Sequence, residues 1–236
     1  NMDYKVAVFA YDFCHKKTQD ILANLYILGI NDVVVFLAPR VEILNNGSNK
    51  PFTSITDEDV ENSRTICDNL NYKYYIVPHN ENYAVSEYSK KHQRNLAIIS
   101  GARILKESII NIFEFGVINY HPGPLPETSG LNSIFWMVKK NSRPVATAHF
   151  IDKKVDAGRL IDELQINLNK DDSFSIVEHK LYIAQLNLHK MVCKKIYKNE
   201  LFESKNIVRH SKNNGMSDKE IHSTMDAFDS WKKGFI

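Results

Sequence analysis

An alternation narrows the possible folds most. Five short runs rich in apolar and β-branched residues, "YKVAVFA" (residues 4–10), "DVVVFLA" (32–38), "YKYYIVP" (72–78), "LAIIS" (96–100) and "GVINYH" (116–121), are separated by helix-like segments near 16–28, 57–70, 82–92 and 105–113. Near-continuous apolar runs are the mark of strands buried on both faces, and the helices between them supply the crossovers that parallel pairing requires. The expectation is α/β: a doubly wound, mostly parallel, Rossmann-like sheet whose ligands sit beyond the carboxyl ends of the strands. Beyond residue 130 the pattern changes. A helix is expected over 131–140, then a strand pair, 145–152 and 158–168, joined through "KKVDAG". Asp171 and Asp172 place negative charge at the start of a long helix, where the backbone dipole favours it. Phe174, Val177, Leu181, Ala184, Leu188 and Met191 recur on that helix at steps of three and four. In the tail, "NNG" (213–215) signals a turn, and a capping box from Ser217 to Glu220 starts a short helix. The division expected is a domain over 1–170, with the long helix and a small C-terminal extension over 171–236 packing on it or forming a dimer contact. A homodimer is expected.

Bulk properties exclude several classes. A chain of 236 residues fits one large domain, and its net charge of +2 gives no electrostatic reason to expect a nucleic-acid partner. Cys14, Cys67 and Cys193 are odd in number and widely spaced, which reads as reduced, buried thiols in a cytosolic protein. The longest apolar run, residues 33–38, falls far short of the roughly 20 residues that span a bilayer. No basic-then-apolar leader precedes it, so no membrane partner and a cytoplasmic location are expected. Phosphate-cradling and hydrolase motifs (G-x-G-x-x-G, the P-loop, G-x-S-x-G, H-E-x-x-H) are absent, and "FAYDFCHKK" after the first strand contains no glycine. Nicotinamide and flavin cofactors are not expected.

The chemistry gathers in "GVINYHPGPLPETSG" (116–130). Pro122, Pro124 and Pro126 each fix φ and remove a donor, and each drives the residue before it toward extended geometry. They immobilise the chain directly behind Asn119 and His121. These two stand i and i+2 at a strand end, so their side chains point the same way. Asn offers a neutral donor to a developing oxyanion, and His exchanges protons near neutrality. Asp156, in "VDAG", is the candidate third member. His149 is either a fourth or a hydrogen-bonded core histidine. Taken singly, each has an ordinary reading as a loop, turn or packing residue.

Together, "INYHPGPLPETSG" and "TAHFIDKKVDAGRLI" (147–161) resemble the formyltransferases that use 10-formyltetrahydrofolate, and "IISGARILKESII" (98–110) resembles their folate-approach segment. The similarity runs over about residues 2–169. The resemblance implies that Asn119, His121 and Asp156 form the catalytic triad and that an amine attacks the formyl carbon. It further implies that Gly101, Ala102, Ile104 and Leu105 line a pterin pocket closed by the loop carrying Asp152 and Val155. It also raises the expectation of a cis Leu125–Pro126 bond. The formyl donor would be 10-formyltetrahydrofolate, with no metal. Among acceptors, the tRNA-directed relatives carry a basic, tryptophan-containing loop where this chain has "PETSG", together with a further C-terminal barrel. The glycinamide ribonucleotide enzymes place glycines after the first strand. "HNENY" (79–83) and the tail fit best with enzymes acting on nucleotide-linked amino sugars, so a dTDP-4-amino-4,6-dideoxyglucose bound for surface polysaccharide is the expected acceptor. His79, Asn80, Asn82, Arg103, Tyr120, Pro122 and Gly123 are the candidates to contact it. The alternatives are a phosphoribosylglycinamide formyltransferase, a metal-dependent hydrolase using His121, His149 and Asp156, or an α/β binding module without activity.

Overall fold

Val6–Tyr11 forms the central strand β1, apolar along its length because both of its faces are covered. The protein's structure, a computed structural model, describes residues 2–40, 53–152, 158–208 and 212–236. After β1 come α1 (Lys16–Ile27), β2 (Val33–Ala38), α2 (Ser63–Asn69), β3 (Lys73–Ile76), α3 (Asn82–Lys91), β4 (Leu96–Ile99), α4 (Glu107–Ile110) and β5 (Val117–His121). Then follow α5 (Ser133–Lys139), β6 (Val145–Phe150), β7 (Arg159–Gln165), α6 (Phe174–Tyr197), β8 (Lys205–Asn206), α7 (Asp218–Asp226) and α8 (Phe228–Lys233). The strands form one sheet in the order β3-β2-β1-β4-β5-β6-β7-β8. Pairing is parallel from β3 to β5 and antiparallel from β5 to β8. The expected mostly parallel, doubly wound sheet is therefore present, and an antiparallel portion from β6 to β8 extends it.

The two faces of the sheet carry two apolar cores. One, under α1 and α6, contains Val6, Val8, Ile98, Ile118 and Tyr120 from the strands and Leu181, Leu188 and Val192 from α6. The other, under α3 and α4, contains Ala7, Phe9, Ala97 and Val117. Val192, not Met191, completes the buried stripe of α6, and Met191 is 41% exposed. The stripe there takes a step of four after Leu188, as 3.6 residues per turn demands.

Two expected helices are shorter than the pattern suggested. Asp57 does not belong to α2; its carboxylate accepts from Lys16 N at 2.7 Å and so caps α1. Asn62 then caps α2, accepting from Arg64 N at 3.0 Å. At α4, Lys106 N donates to Asn80 Oδ1 at 2.8 Å and Asn80 Nδ2 donates to Ile104 O at 2.9 Å. Asn80 thereby holds residues 104–106 as a loop ahead of the helix. Cys67 and Cys193 are buried, and burial pushes both thiols up to about 12; Cys14, contrary to expectation, is exposed. Among the described residues no helix is long and apolar enough to cross a membrane.

The segment after α6 returns to the body of the protein. Residues 205–206 add β8 to the sheet edge. The predicted capping box forms at Ser217 and Glu220. Trp231 Nε1 donates to Ser142 O at 2.9 Å, and Lys232 Nζ to Asp172 O at 2.7 Å, so α8 is tied to the starts of β6 and α6.

Candidate active site

Strand β5 sorts its side chains by the period of two. Ile118 and Tyr120 enter the core beneath α6, whereas Val117 faces the opposite core, the side to which Asn119 and His121 also belong. The antiparallel register sets Asn119 against His149 and His121 against Thr147. Asn119 Nδ2 lies 3.4 Å from His149 Nε2. His149 is fully buried, and one amide hydrogen of Asn119 can rest on its ring while the second remains available to a ligand.

The loop behind His121 is built to hold its ring. His121 Nε2 lies 2.9 Å from Thr128 O and 3.1 Å from Thr128 Oγ1. A carbonyl only accepts, so Nε2 of the ring carries a proton. Thr128 is in turn fixed by donating from Oγ1 to Pro124 O at 2.8 Å, and Thr147 Oγ1 donates to Gly123 O at 2.8 Å. A Cβ on Gly123 would fall inside the Thr128 side chain, so only glycine allows the loop to close beneath the histidine. The Leu125–Pro126 peptide is cis, as the resemblance implied.

His121 and Pro122 form one wall of a crevice of about 990 Å³ beyond the carboxyl ends of β4 and β5. Ala102, Arg103, Ile104 and Asn80 line another wall, and the stacked rings of Phe135 and Phe174, with centroids 4.8 Å apart, line it as well. Of the expected pterin residues, Leu105 is core, and Gly101 packs so closely on Tyr11 that a Cβ would lie 2.7 Å from its ring. Asp152 lines a separate cavity of about 860 Å³ together with Ile110, Phe113, Phe150 and Gly158. Asp156 and Val155 lie outside the described residues.

Three expected acceptor contacts do not reach the crevice with their side chains. His79 is buried, with its Nε2 2.9 Å from Ala10 O and 3.0 Å from Phe36 O, where it ties the ends of β1 and β2 together; burial lowers its pKa. Tyr120 points to the other side of the sheet, where its hydroxyl meets His189 Nδ1 at 2.9 Å. Asn82, at the start of α3, lines a different depression with Ser86 and Lys90. Gly123 acts beneath the histidine, as described. Among the described residues, no group of three or more His, Cys, Asp or Glu side chains could hold a metal ion.

Sequence reasoning passed over Glu178 and Lys212. Both line the crevice, and Glu178, on α6, accepts from the backbone N and Oγ of Ser54. The one local sign for Glu178 was a charge on the helix face next to the apolar stripe at Val177 and Leu181. Lys212 had none.

A sheet of this order, with an imidazole at the end of its last parallel strand in the wall of a crevice, defines the doubly wound proteins that take small ligands beyond their strand ends. More narrowly, the chain belongs to the formyl transferase family: a family profile of that description matches residues 5–192. It is 21% identical over 115 residues to the phosphoribosylglycinamide formyltransferase of Bacillus subtilis, a match covering 48% of this chain and 59% of that relative. The fold is shared with the phosphoribosylglycinamide formyltransferase of Streptococcus pneumoniae (TM-score 0.60, 21% identity, 82% of this chain, 99% of that one). It is also shared with an N-formyltransferase from Helicobacter canadensis solved with folinic acid and dTDP-3-aminofucose (TM-score 0.62, 17% identity, 95% of this chain, 80% of that one).

Proposed function

We propose that the chain is an N-formyltransferase that moves a formyl group from 10-formyltetrahydrofolate to the amino group of a nucleotide-linked amino sugar. A dTDP-4-amino-4,6-dideoxyhexose destined for surface polysaccharide is the specific acceptor proposed, in a cytoplasmic homodimer. The observation that carries the reading is His121, locked through Nε2 on Thr128 and set in the crevice wall two residues from Asn119. As the amine adds to the formyl carbon, the formyl oxygen gains charge, and a free hydrogen of the Asn119 amide can stabilise it; one such donor is typically worth about 10²–10³ in rate. The new amide bond forms as the bond from carbon to the folate nitrogen breaks. The proton lost by the amine must end on that nitrogen, and the His121 ring is suited to pass it on. Asp156 is assigned to orient this ring. The loop of residues 102–104 borders the crevice, whose lining is mainly apolar with a few polar groups, as suits a flat, polar-edged pterin.

The likeness to the Helicobacter canadensis enzyme supports the sugar acceptor, because it extends over 95% of this chain against 82% for the Streptococcus pneumoniae enzyme. The second reading, glycinamide ribonucleotide as acceptor, is favoured by the curated relative from Bacillus subtilis. The two separate in one assay: dTDP-amino sugars and glycinamide ribonucleotide are each incubated with 10-formyltetrahydrofolate, and the acceptor is followed by mass spectrometry. The sugar should gain one formyl group. Turnover of the ribonucleotide alone would move the protein to the second reading, and turnover of neither would remove both.

A further inference from the structure

We propose that Arg103 and Lys212 form an anion clamp across the crevice, holding the phosphate groups of the acceptor while its amine faces His121. The inference deepens the acceptor reading given above and rests on it for the identity of the ligand. Both cations line the same crevice as His121, Arg103 from the loop after β4 and Lys212 from the segment between β8 and α7. Neither has a carboxylate partner among the described residues. The carboxylate they share the crevice with, Glu178, already accepts two hydrogen bonds from Ser54. Among the described lining residues the two cations thus face one carboxylate that is already engaged, an arrangement that favours anionic ligands.

Lys212 is held in position by its surroundings. The backbone beside it is pinned by Asn213, whose N donates to Ser129 O at 3.1 Å and whose Nδ2 donates to Glu127 O at 2.8 Å and Ser129 O at 3.0 Å. Asn213 Oδ1 accepts from Lys140 Nζ at 2.6 Å, and Trp136 Nε1 donates to Asn214 O at 3.0 Å. The stem of Lys212 then crosses Gly130, whose φ is +97°. A Cβ there would lie 2.7 Å from Asn213 O and 3.0 Å from Lys212 Cγ. The missing side chain at residue 130 is thus the channel through which the lysine reaches the crevice. Elsewhere in the lining, Asn80 bonds Ile104 O and Lys106 N, fixing the loop that carries Arg103. A guanidinium and an ammonium in one crevice suit phosphate oxygens, the first by paired donors and the second as a point charge.

Calorimetric titration of the full chain tests this with three probes: dTDP, inorganic pyrophosphate and folinic acid. Lys212→Met should weaken dTDP and pyrophosphate about tenfold or more, because a charge-assisted bond to phosphate is lost. Lys212→Arg should recover most of that loss, and folinic acid should bind the methionine variant as it binds the wild type. Gly130→Ala should reproduce the loss by displacing the stem. An unchanged affinity for both anions in Lys212→Met, or an equal loss for folinic acid, would overturn the clamp. Should the wild type bind pyrophosphate through Lys212 yet ignore dTDP, the clamp stands and the nucleotide-sugar reading falls. Binding of neither anion sinks both.

Discussion

The two sides of strand β5 each hold a buried histidine, and they could hardly differ more in use. Beneath α6, His189 is fully buried and both of its ring nitrogens are taken: Tyr120 donates its hydroxyl to Nδ1 at 2.9 Å, and Nε2 donates to Ile21 O at 3.1 Å. Burial drives its pKa down to about 4. On the other side His121 is also buried, yet it stands in a crevice wall with its proton fixed on Nε2 by a backbone carbonyl. Burial alone therefore does not mark a working histidine. What separates the two is place: His121 lines a crevice that a ligand can enter, and His189 lies wholly in the core.

Breaking the crevice side should produce the largest effect. His121→Ala is expected to lower turnover about 10²–10⁴-fold, the usual worth of a positioned proton carrier, with little change in melting temperature. Near-normal turnover would remove the ring from the chemistry. The core side should answer through stability. The unfolded chain takes up the His189 proton near pH 6.5, while the folded chain resists until about pH 4. Between those values the unfolded state binds more protons, so stability is full above about pH 6.5 and falls as pH drops toward 4, by roughly 3 kcal/mol. Denaturant unfolding across that range should show the decline, and His189→Gln should flatten it; an unaltered slope would place the acid sensitivity elsewhere. The smallest effect belongs to Tyr120→Phe, which loses one buried hydrogen bond and should cost about 1 kcal/mol with turnover kept. A large loss of turnover there would mean the two sides are coupled.

What could be read beforehand follows the range of the interactions. The parallel half was legible because strands covered on both faces must be apolar throughout, and the period of two placed Asn119 and His121 together. The same period sets Tyr120 on the opposite face, so its expected contact with the acceptor conflicted with a rule already in hand. Other features depended on partners far along the chain. Asp57 leaves its own helix to cap α1, 41 residues away, and His79 is buried by two carbonyls from other strands. Glu178 and Lys212 reach the crevice only through the packing of α6 and the return of the tail. No local pattern announces such meetings. The capping box at Ser217 was legible for the converse reason, since all of its atoms lie within four consecutive residues.

The docking of Asn213 onto the loop of residues 127–129 bears on the order in which the molecule is completed. During synthesis the sheet from β1 to β7 and its covering helix can assemble from residues that emerge early, and chains of this size commonly fold in such a sequence. The rim that presents Lys212 arrives later, with the segment that follows α6. A nascent chain would then carry the sheet and a poised histidine beside a half-open mouth, and its grip on anions would appear only once the segment after α6 has docked.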